Sequence, residues 1–264
     1  MKETIIRHLP AECPWRDTLH WFNTIDSTNT YAKKLAAQGA PHGTVIIAGH
    51  QSAGRGRMGR SFSSPEGKGI YLSVVLRPNC PAQDLMHLTC AAAVAMCNAV
   101  ESVCGFRPGV KWINDLVAQK RKLGGILTEL SIGSCENVNY AVIGIGINCS
   151  QLPHDFPEDI RDIAISLEAV TRKQIEQAAL AAAMIRELWK TDAVLLERNA
   201  IMNAYRKDCI TLGQDVVILT SGGNRQGVAL DVDDSGALHV QLPNGSVQTV
   251  NSGEVSVRGL SGYL

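Results

Sequence analysis

Residues 49–69 read GHQSAGRGRMGRSFSSPEGKG, with six glycines, three arginines and one lysine against a single acid, Glu66. Glycine supplies a mobile backbone whose N–H groups can face an anion, and arginine supplies a planar fork that matches carboxylate or phosphate. Arg55, Arg57 and Arg60 repel one another unless an anion sits among them. The expectation is a loop that is loose when empty and ordered around an anionic ligand; the same composition also fits a solvated basic loop without a site. The string Gly54-Arg55-Gly56-Arg57-Met58-Gly59 matches G-x-G-x-x-G literally. That motif needs a strand before it, a helix after it and an acid about 20 residues on. Pro65, Gly67 and Gly69 stop any useful helix, and no acid stands near Val74. No G-K-[ST] follows, so a P-loop is excluded.

A second constellation is Lys111-Trp112-Ile113-Asn114-Asp115, followed by Lys122-Leu123-Gly124-Gly125-Ile126. A lysine on a strand between apolar neighbours is costly to bury unless it meets an anion. Asp115 suits a metal or a partner cation. Each also has a plain structural use, Lys111 by snorkelling and Asp115 by capping a turn. Eight cysteines (Cys13, Cys80, Cys90, Cys97, Cys104, Cys135, Cys149 and Cys209) form no C-x-x-C pair, and no His stands at zinc-finger spacing. Cys90, Cys97 and Cys104 share a helix face, since two heptads drift by only ~40°. They read as small hydrophobes on a buried face or as a metal or redox stripe.

These segments need elements to hold them. Asp26-Ser27-Thr28-Asn29 is a cluster of N-cap residues, and the run to Gly39 predicts a short helix. Thr44–Ala48 and Ile70–Arg77 predict strands, and Gln83–Cys104, Ala-rich and free of Gly and Pro, predicts one long helix. Leu116–Ala118 and Leu123–Leu130 flank the basic turn Gln119–Lys122 and predict a hairpin. Tyr140–Asn148 predicts a buried strand whose Gly144 and Gly146 face one side. Residues 151–157 form a Pro-containing loop, and 175–205 is helical in two segments. From Ile210 on, Ser221-Gly222-Gly223-Asn224, Asp233-Asp234-Ser235-Gly236 and Pro243-Asn244-Gly245 separate short alternating runs. That rhythm predicts a small antiparallel barrel, SH3-like because so short a stretch is too small for most sandwiches.

The chain of 264 residues is 45% apolar and 19% charged, which excludes intrinsic disorder. Lys plus Arg and Asp plus Glu are both 25. The zero net charge disfavours a globally basic nucleic-acid binder. No hydrophobic leader precedes Asp17, and the aliphatic run Cys90–Val100 is short of the ~18 residues of a span. A cytoplasmic protein without membrane contact is expected. No G-x-S-x-G supports a nucleophilic hydrolase.

Four pieces in order carry a resemblance: Asp26-Ser27-Thr28-Asn29; Gln51-Ser52-Ala53-Gly54-Arg55-Gly56-Arg57-Met58-Gly59-Arg60; Lys111-Trp112-Ile113-Asn114-Asp115 with Lys122-Leu123-Gly124-Gly125-Ile126-Leu127; and Gly144-Ile145-Gly146-Ile147-Asn148. The sequence resembles the biotin protein ligases, the biotin–acetyl-CoA-carboxylase ligases, from about residue 24 to the C-terminus. There Gly253-Glu254-Val255-Ser256 looks like the closing barrel strand. The resemblance implies an α+β fold, with a mixed central sheet flanked by helices (class II synthetase-like) in residues 1–208 and an SH3-like barrel in 209–264. It implies that biotin and ATP give biotinyl-5′-adenylate and pyrophosphate, and that a lysine of a biotin carboxyl carrier protein then takes the biotin.

By that resemblance Lys111 and Arg57 are catalytic. Ser27, Thr28, Asn29, Gln51, Gly54, Arg55, Arg57, Lys111, Gly124, Gly144 and Gly146 bind biotin, with Gly125 beside them. Arg57, Arg60, Phe62, Lys111, Asn114, Lys122 and Asn148 lie on the nucleotide, and Asp115 is the candidate ligand for Mg²⁺. Two positions depart from the family pattern. Ile113 stands where proline is common, with local backbone stiffness the expected consequence. Phe62 stands where tryptophan is usual, which bears on how the loop packs over ligand. Only about 22 residues precede the core, too few for a three-helix DNA-binding domain, so no operator binding is expected. A homodimer by sheet extension is compatible with an uncovered edge. A lipoate or octanoate ligase of the same fold is the nearest alternative, and a nucleic-acid-binding module the non-enzyme one.

Overall fold

A strand that is apolar along its whole length must be buried on both faces, and so must lie inside a sheet. Gly69–Leu76 (GIYLSVVL) and Val138–Asn148 (VNYAVIGIGIN) have that character, and they pair with each other at the centre of a seven-stranded sheet. The computed structural model describes residues 1–133, 136–220, 223–251 and 256–259. In chain order the elements are α1 (Lys2–His8), β1 (Leu19–Ile25), α2 (Thr28–Ala37), β2 (Thr44–Gln51), β3 (Gly69–Leu76), α3 (Leu88–Cys104), β4 (Gly109–Lys111), β5 (Asp115–Ala118), β6 (Arg121–Ile132) and β7 (Val138–Asn148). There follow α4 (Leu167–Thr171), α5 (Gln177–Ala193), α6 (Arg198–Asp208), β8 (Asp215–Thr220), β9 (Gly223–Val232), β10 (Leu238–Gln241), β11 (Val247–Val250) and β12 (Ser256–Gly259).

The first sheet runs β1-β2-β3-β7-β6-β5-β4. It is mixed: β1 and β2 are parallel, and the other neighbours antiparallel. The Ala-rich helices α3 and α5 pack with α1 on one face and form the large core. The other face carries α2, whose Ala32 and Ala36 meet Ile46, Val75 and Val142. Helix α2 is ten residues long and covers only part of that face. At its N-terminus the neighbouring strands present Gly125, Gly144 and Gly146 on the same side, as register and alternation require. A hollow is the consequence. Ser27 caps α2 by accepting from the Thr30 amide at 3.4 Å, and Gly39 closes its far end at φ 90°.

The second sheet is antiparallel throughout, in the order β11-β10-β9-β8-β12, around Val216, Ile218, Ala229, Leu238 and Val240. It is fastened to the first where β4 ends. The Trp112 indole donates to the Gly236 carbonyl at 3.0 Å, and the Trp112 amide donates to Thr211 Oγ1 at 2.9 Å. Tyr205 donates to the Ile113 carbonyl at 3.2 Å, and the Ile210 amide to the Val110 carbonyl at 3.0 Å. The Trp112–Ile113 peptide is cis.

Several local expectations change. The long helix expected from Gln83 starts at Leu88, after a separate 3-10 turn at Ala82–Leu85. The break falls where His87 turns its ring inward to the Leu195 carbonyl, 2.7 Å away. The hairpin turn is two residues, Gln119 and Lys120, both at positive φ, rather than four. Arg77 falls outside β3 because its guanidinium caps carbonyls at the end of α2, including Ala40 at 2.8 Å. The edge strand β1 and helix α1 have no counterpart in the sequence reading. Cys90 and Cys97 are fully buried and Cys104 half-buried, and burial pushes all three thiols up. Among the described residues no His/Cys/Asp/Glu group could hold a metal, so the stripe is core packing. Cys135, Ser221, Gly222 and residues 253–255 of the closing-strand expectation lie outside the described residues.

Candidate active site

The hollow at the N-terminus of α2 is a cleft open to solvent. Its wall brings together Ser27, Thr28, Asn29, Gln51, Arg55, Arg57, Phe62, Asn114, Lys122, Gly144 and Gly146, residues from five separate stretches of chain. Gly56, Gly125, Ile126, Leu127 and Ile145 complete it.

One end is a network of neutral polar groups. Gln51 Oε1 accepts from the Thr28 amide at 2.8 Å and from Thr28 Oγ1 at 3.1 Å, while Gln51 Nε2 donates to Ser64 Oγ at 2.9 Å. The Ser73 hydroxyl lies 2.8 Å from Thr28 Oγ1 and donates to Asn29 Oδ1 at 2.6 Å. Asn29 Nδ2 donates to Glu129 Oε2 at 3.0 Å and to the Leu127 carbonyl at 3.3 Å. These buried side chains are therefore held in single orientations, which preorganises them for a ligand with matching donors and acceptors. Ser73, Ser64 and Glu129 were not singled out from sequence. Ser73, a polar residue in the middle of the apolar run IYLSVVL, is the signal that was available.

The other end is cationic. The loop from Gly54 to Phe62 is a closed turn: the Phe62 amide donates to the Gly54 carbonyl at 2.9 Å, and the Gly56 amide to the Arg60 carbonyl at 2.7 Å. Two of its three arginines meet protein acceptors. Arg57 donates to Asn114 Oδ1 at 3.0 Å, and Arg55 lies 3.5 Å from Glu129. Arg60 is exposed and outside the cleft wall. Burial lowers the Arg57 pKa, with Asp115 pulling it back and Arg60 adding to the fall. The guanidinium stays charged throughout the working pH range. Lys122 pairs with Asp115 at 2.7 Å.

The glycines make room. A side chain at Gly144 would overlap the Asn29 amide, and one at Gly146 would overlap the Phe62 ring. Phe62 thereby lies against the sheet, edge-on to Tyr71 with ring centroids 6.4 Å apart. Gly144→Ala is expected to displace Asn29, which three hydrogen bonds hold in place, and to raise the KM for the ring-bearing substrate about 10–100-fold while the fold persists. Steady-state kinetics beside a thermal melt checks this.

Other expected residues fall elsewhere. Gly124 points away from the cleft and its neighbour Gly125 lines it, because adjacent strand residues face opposite sides. Gly54 is buried inside the loop turn, against the Phe62 carbonyl. Asn148 is spent on structure, donating to the Ile165 carbonyl at 3.0 Å and accepting from Gln151 at 3.2 Å. Lys111 ends β4 in register opposite Asp115, half-buried and outside the cleft wall. Asp115 offers one carboxylate, already paired with Lys122. That suits a magnesium ion arriving on nucleotide phosphates better than a resident protein-bound ion.

Known proteins resemble the chain in both sequence and fold. Residues 21–148 match the biotin/lipoate A/B protein ligase family, and residues 211–258 match the biotin protein ligase C-terminal domain. The chain is 34% identical over 241 residues to the bifunctional ligase/repressor BirA of Bacillus subtilis, covering 90% of this chain and 74% of that protein. It is 34% identical over 240 residues to the biotin–[acetyl-CoA-carboxylase] ligase of Mycobacterium tuberculosis, covering 87% of this chain and 85% of that one. Its fold matches that of the Aquifex aeolicus biotin protein ligase solved with biotin and ATP, at a TM-score of 0.77 and 27% identity over 91% of this chain and 98% of that one. With the polar pocket, the arginine loop and both domain matches in one chain, the protein belongs to the biotin protein ligase family.

Proposed function

We propose that the chain joins biotin to ATP as biotinyl-5′-adenylate and passes the biotinyl group to a lysine of a biotin carboxyl carrier protein. The observation that carries the assignment is the division of a single cleft. Neutral donors and acceptors (Ser27, Thr28, Asn29, Gln51) stand at one end and Arg57 and Lys122 at the other, with Arg55 drawn to Glu129 behind the polar end. An acid with a polar, uncharged ring and a carboxylate tail fits that order. A plain fatty acid or lipoate would offer no N–H to the lone pair that Asn29 Oδ1 keeps beside its Ser73 bond.

In the first step a biotin carboxylate oxygen attacks the α-phosphorus; a P–O bond forms and pyrophosphate leaves. Two anions must approach, so cations between them lower the barrier. Arg57, oriented by Asn114, bridges carboxylate and α-phosphate. Lys122 and Lys111 add positive charge where the pentavalent phosphorus forms. Asp115 is the residue that would hold a magnesium ion bound with ATP, and such an ion would add charge neutralisation at the phosphates. In the second step the carrier lysine attacks the acyl carbon and AMP departs. The cleft opens to solvent, which leaves room for that lysine to enter. A division into 1–208 and 209–264 would follow the two sheets, and dimerisation by sheet extension would use β1, the edge of the first sheet away from the second.

ATP–pyrophosphate exchange with biotin, lipoate or octanoate as sole acid tests this. Exchange with biotin alone is expected. Exchange with lipoate or octanoate overturns the substrate, and no exchange with any acid overturns the activity.

A further inference from the structure

Glu129 lies on β6, on the same sheet face as Gly125 and Leu127, just behind the ring end of the cleft. Its carboxylate serves three groups. Oε2 accepts from Asn29 Nδ2 at 3.0 Å; Oε1 pairs with Lys33 Nζ at 2.8 Å and lies 3.5 Å from Arg55 Nη1. Its side chain is 21% exposed. Burial pushes its pKa up, but the Lys33 and Asn29 hydrogen bonds and the Lys33 and Arg55 charges outweigh that and hold it ionised.

An ionised carboxylate can only accept. Both Asn29 amide protons are therefore taken, one by Glu129 and one by the Leu127 carbonyl. Asn29 Oδ1 takes the Ser73 proton and keeps one lone pair. That oxygen borders Gly144 in the cleft wall. Flipping the amide would set its oxygen against Glu129 and the Leu127 carbonyl, three acceptors facing one another. Asn29 thus shows the ligand an acceptor and never a donor.

We propose that Glu129 is a positioning residue that sets the hydrogen-bond polarity of the ring pocket and, through Arg55, ties that pocket to the arginine loop. This rests on the biotin-ligase reading of the cleft and adds to it the source of its ring selectivity. A ring with N–H facing Asn29 is accepted. A ring with an oxygen there meets an acceptor that cannot turn away.

The test compares biotin with its two cyclic carbamate analogues, in which one or the other urea N–H is replaced by oxygen, in adenylate formation. The native enzyme is expected to disfavour the carbamate whose oxygen faces Asn29 by about 10–100-fold in kcat/KM, the size of one mismatched buried polar contact. In Glu129→Gln the side-chain amide can turn, Asn29 can turn with it, and that ratio, read within each enzyme so that any general loss cancels, is expected to fall about tenfold. Equal loss on all three acids, or a lowered melting temperature with the ratio unchanged, marks a purely structural glutamate and overturns the inference. Native enzyme that treats both carbamates like biotin overturns it too, whether or not the variant folds. Absence of native exchange with biotin itself sinks the ligase reading and, with it, this inference.

Discussion

Lys111→Ala is expected to lower biotin-dependent ATP–pyrophosphate exchange about 10²–10³-fold, through kcat, with the biotin KM changed less than about threefold. The backbone that carries this lysine is held from outside the cleft. Trp112 is bound through its amide to Thr211 and through its indole to Gly236, and the Ile113 carbonyl to Tyr205. A charge on so fixed a strand end needs no reorganisation as negative charge builds on phosphorus, and that preorganisation is the source of the rate effect. Lys111 lies outside the wall formed by the ring-binding groups, so ground-state binding of biotin is expected to survive its loss. A fall in KM-linked terms alone, or rates within fivefold of native, would show that Lys111 does not act at the reacting phosphate.

Arg57→Ala is expected to lower kcat/KM for adenylation by a similar factor of about 10²–10³, but through both kcat and the biotin KM. Arg57 is in the cleft wall, and the bond from Nη1 to Asn114 at 3.0 Å aims the guanidinium fork. In the proposed mechanism its contact is made in the ground state with the carboxylate and strengthened in the transition state at the α-phosphate, so both constants are expected to move. Arg57→Lys is expected to recover only a small part, because a single ammonium cannot bridge two oxygens with fixed geometry. Pyrophosphate release under single-turnover conditions separates the two constants. Full activity in Arg57→Lys would reduce the side chain to a simple charge.

Signals that act within a few residues were legible in the sequence. Ser27 as a helix cap, the glycine–arginine loop, the 119–122 hairpin region and the shared side of Gly144 and Gly146 follow from local backbone chemistry and from the two-residue strand period. The ordered motifs also identify the family, because those residue types at those positions bear the chemistry directly. What local chemistry cannot encode is register between distant strands. The pairing of Gly125 with Gly146 put Gly125 rather than Gly124 at the cleft. The same register carried Glu129 behind Asn29, 100 residues away in sequence. Asn114 and Glu129, both remote in sequence, meet Arg57 and Arg55 of the loop. The strand end bearing Lys111 is clamped by a carbonyl 124 residues further on. The sequence by itself determined which chemical groups the protein carries and the local turns that present them. The tertiary structure alone decided which groups face one another, because that depends on strand offsets and sheet faces settled only when the whole core packs.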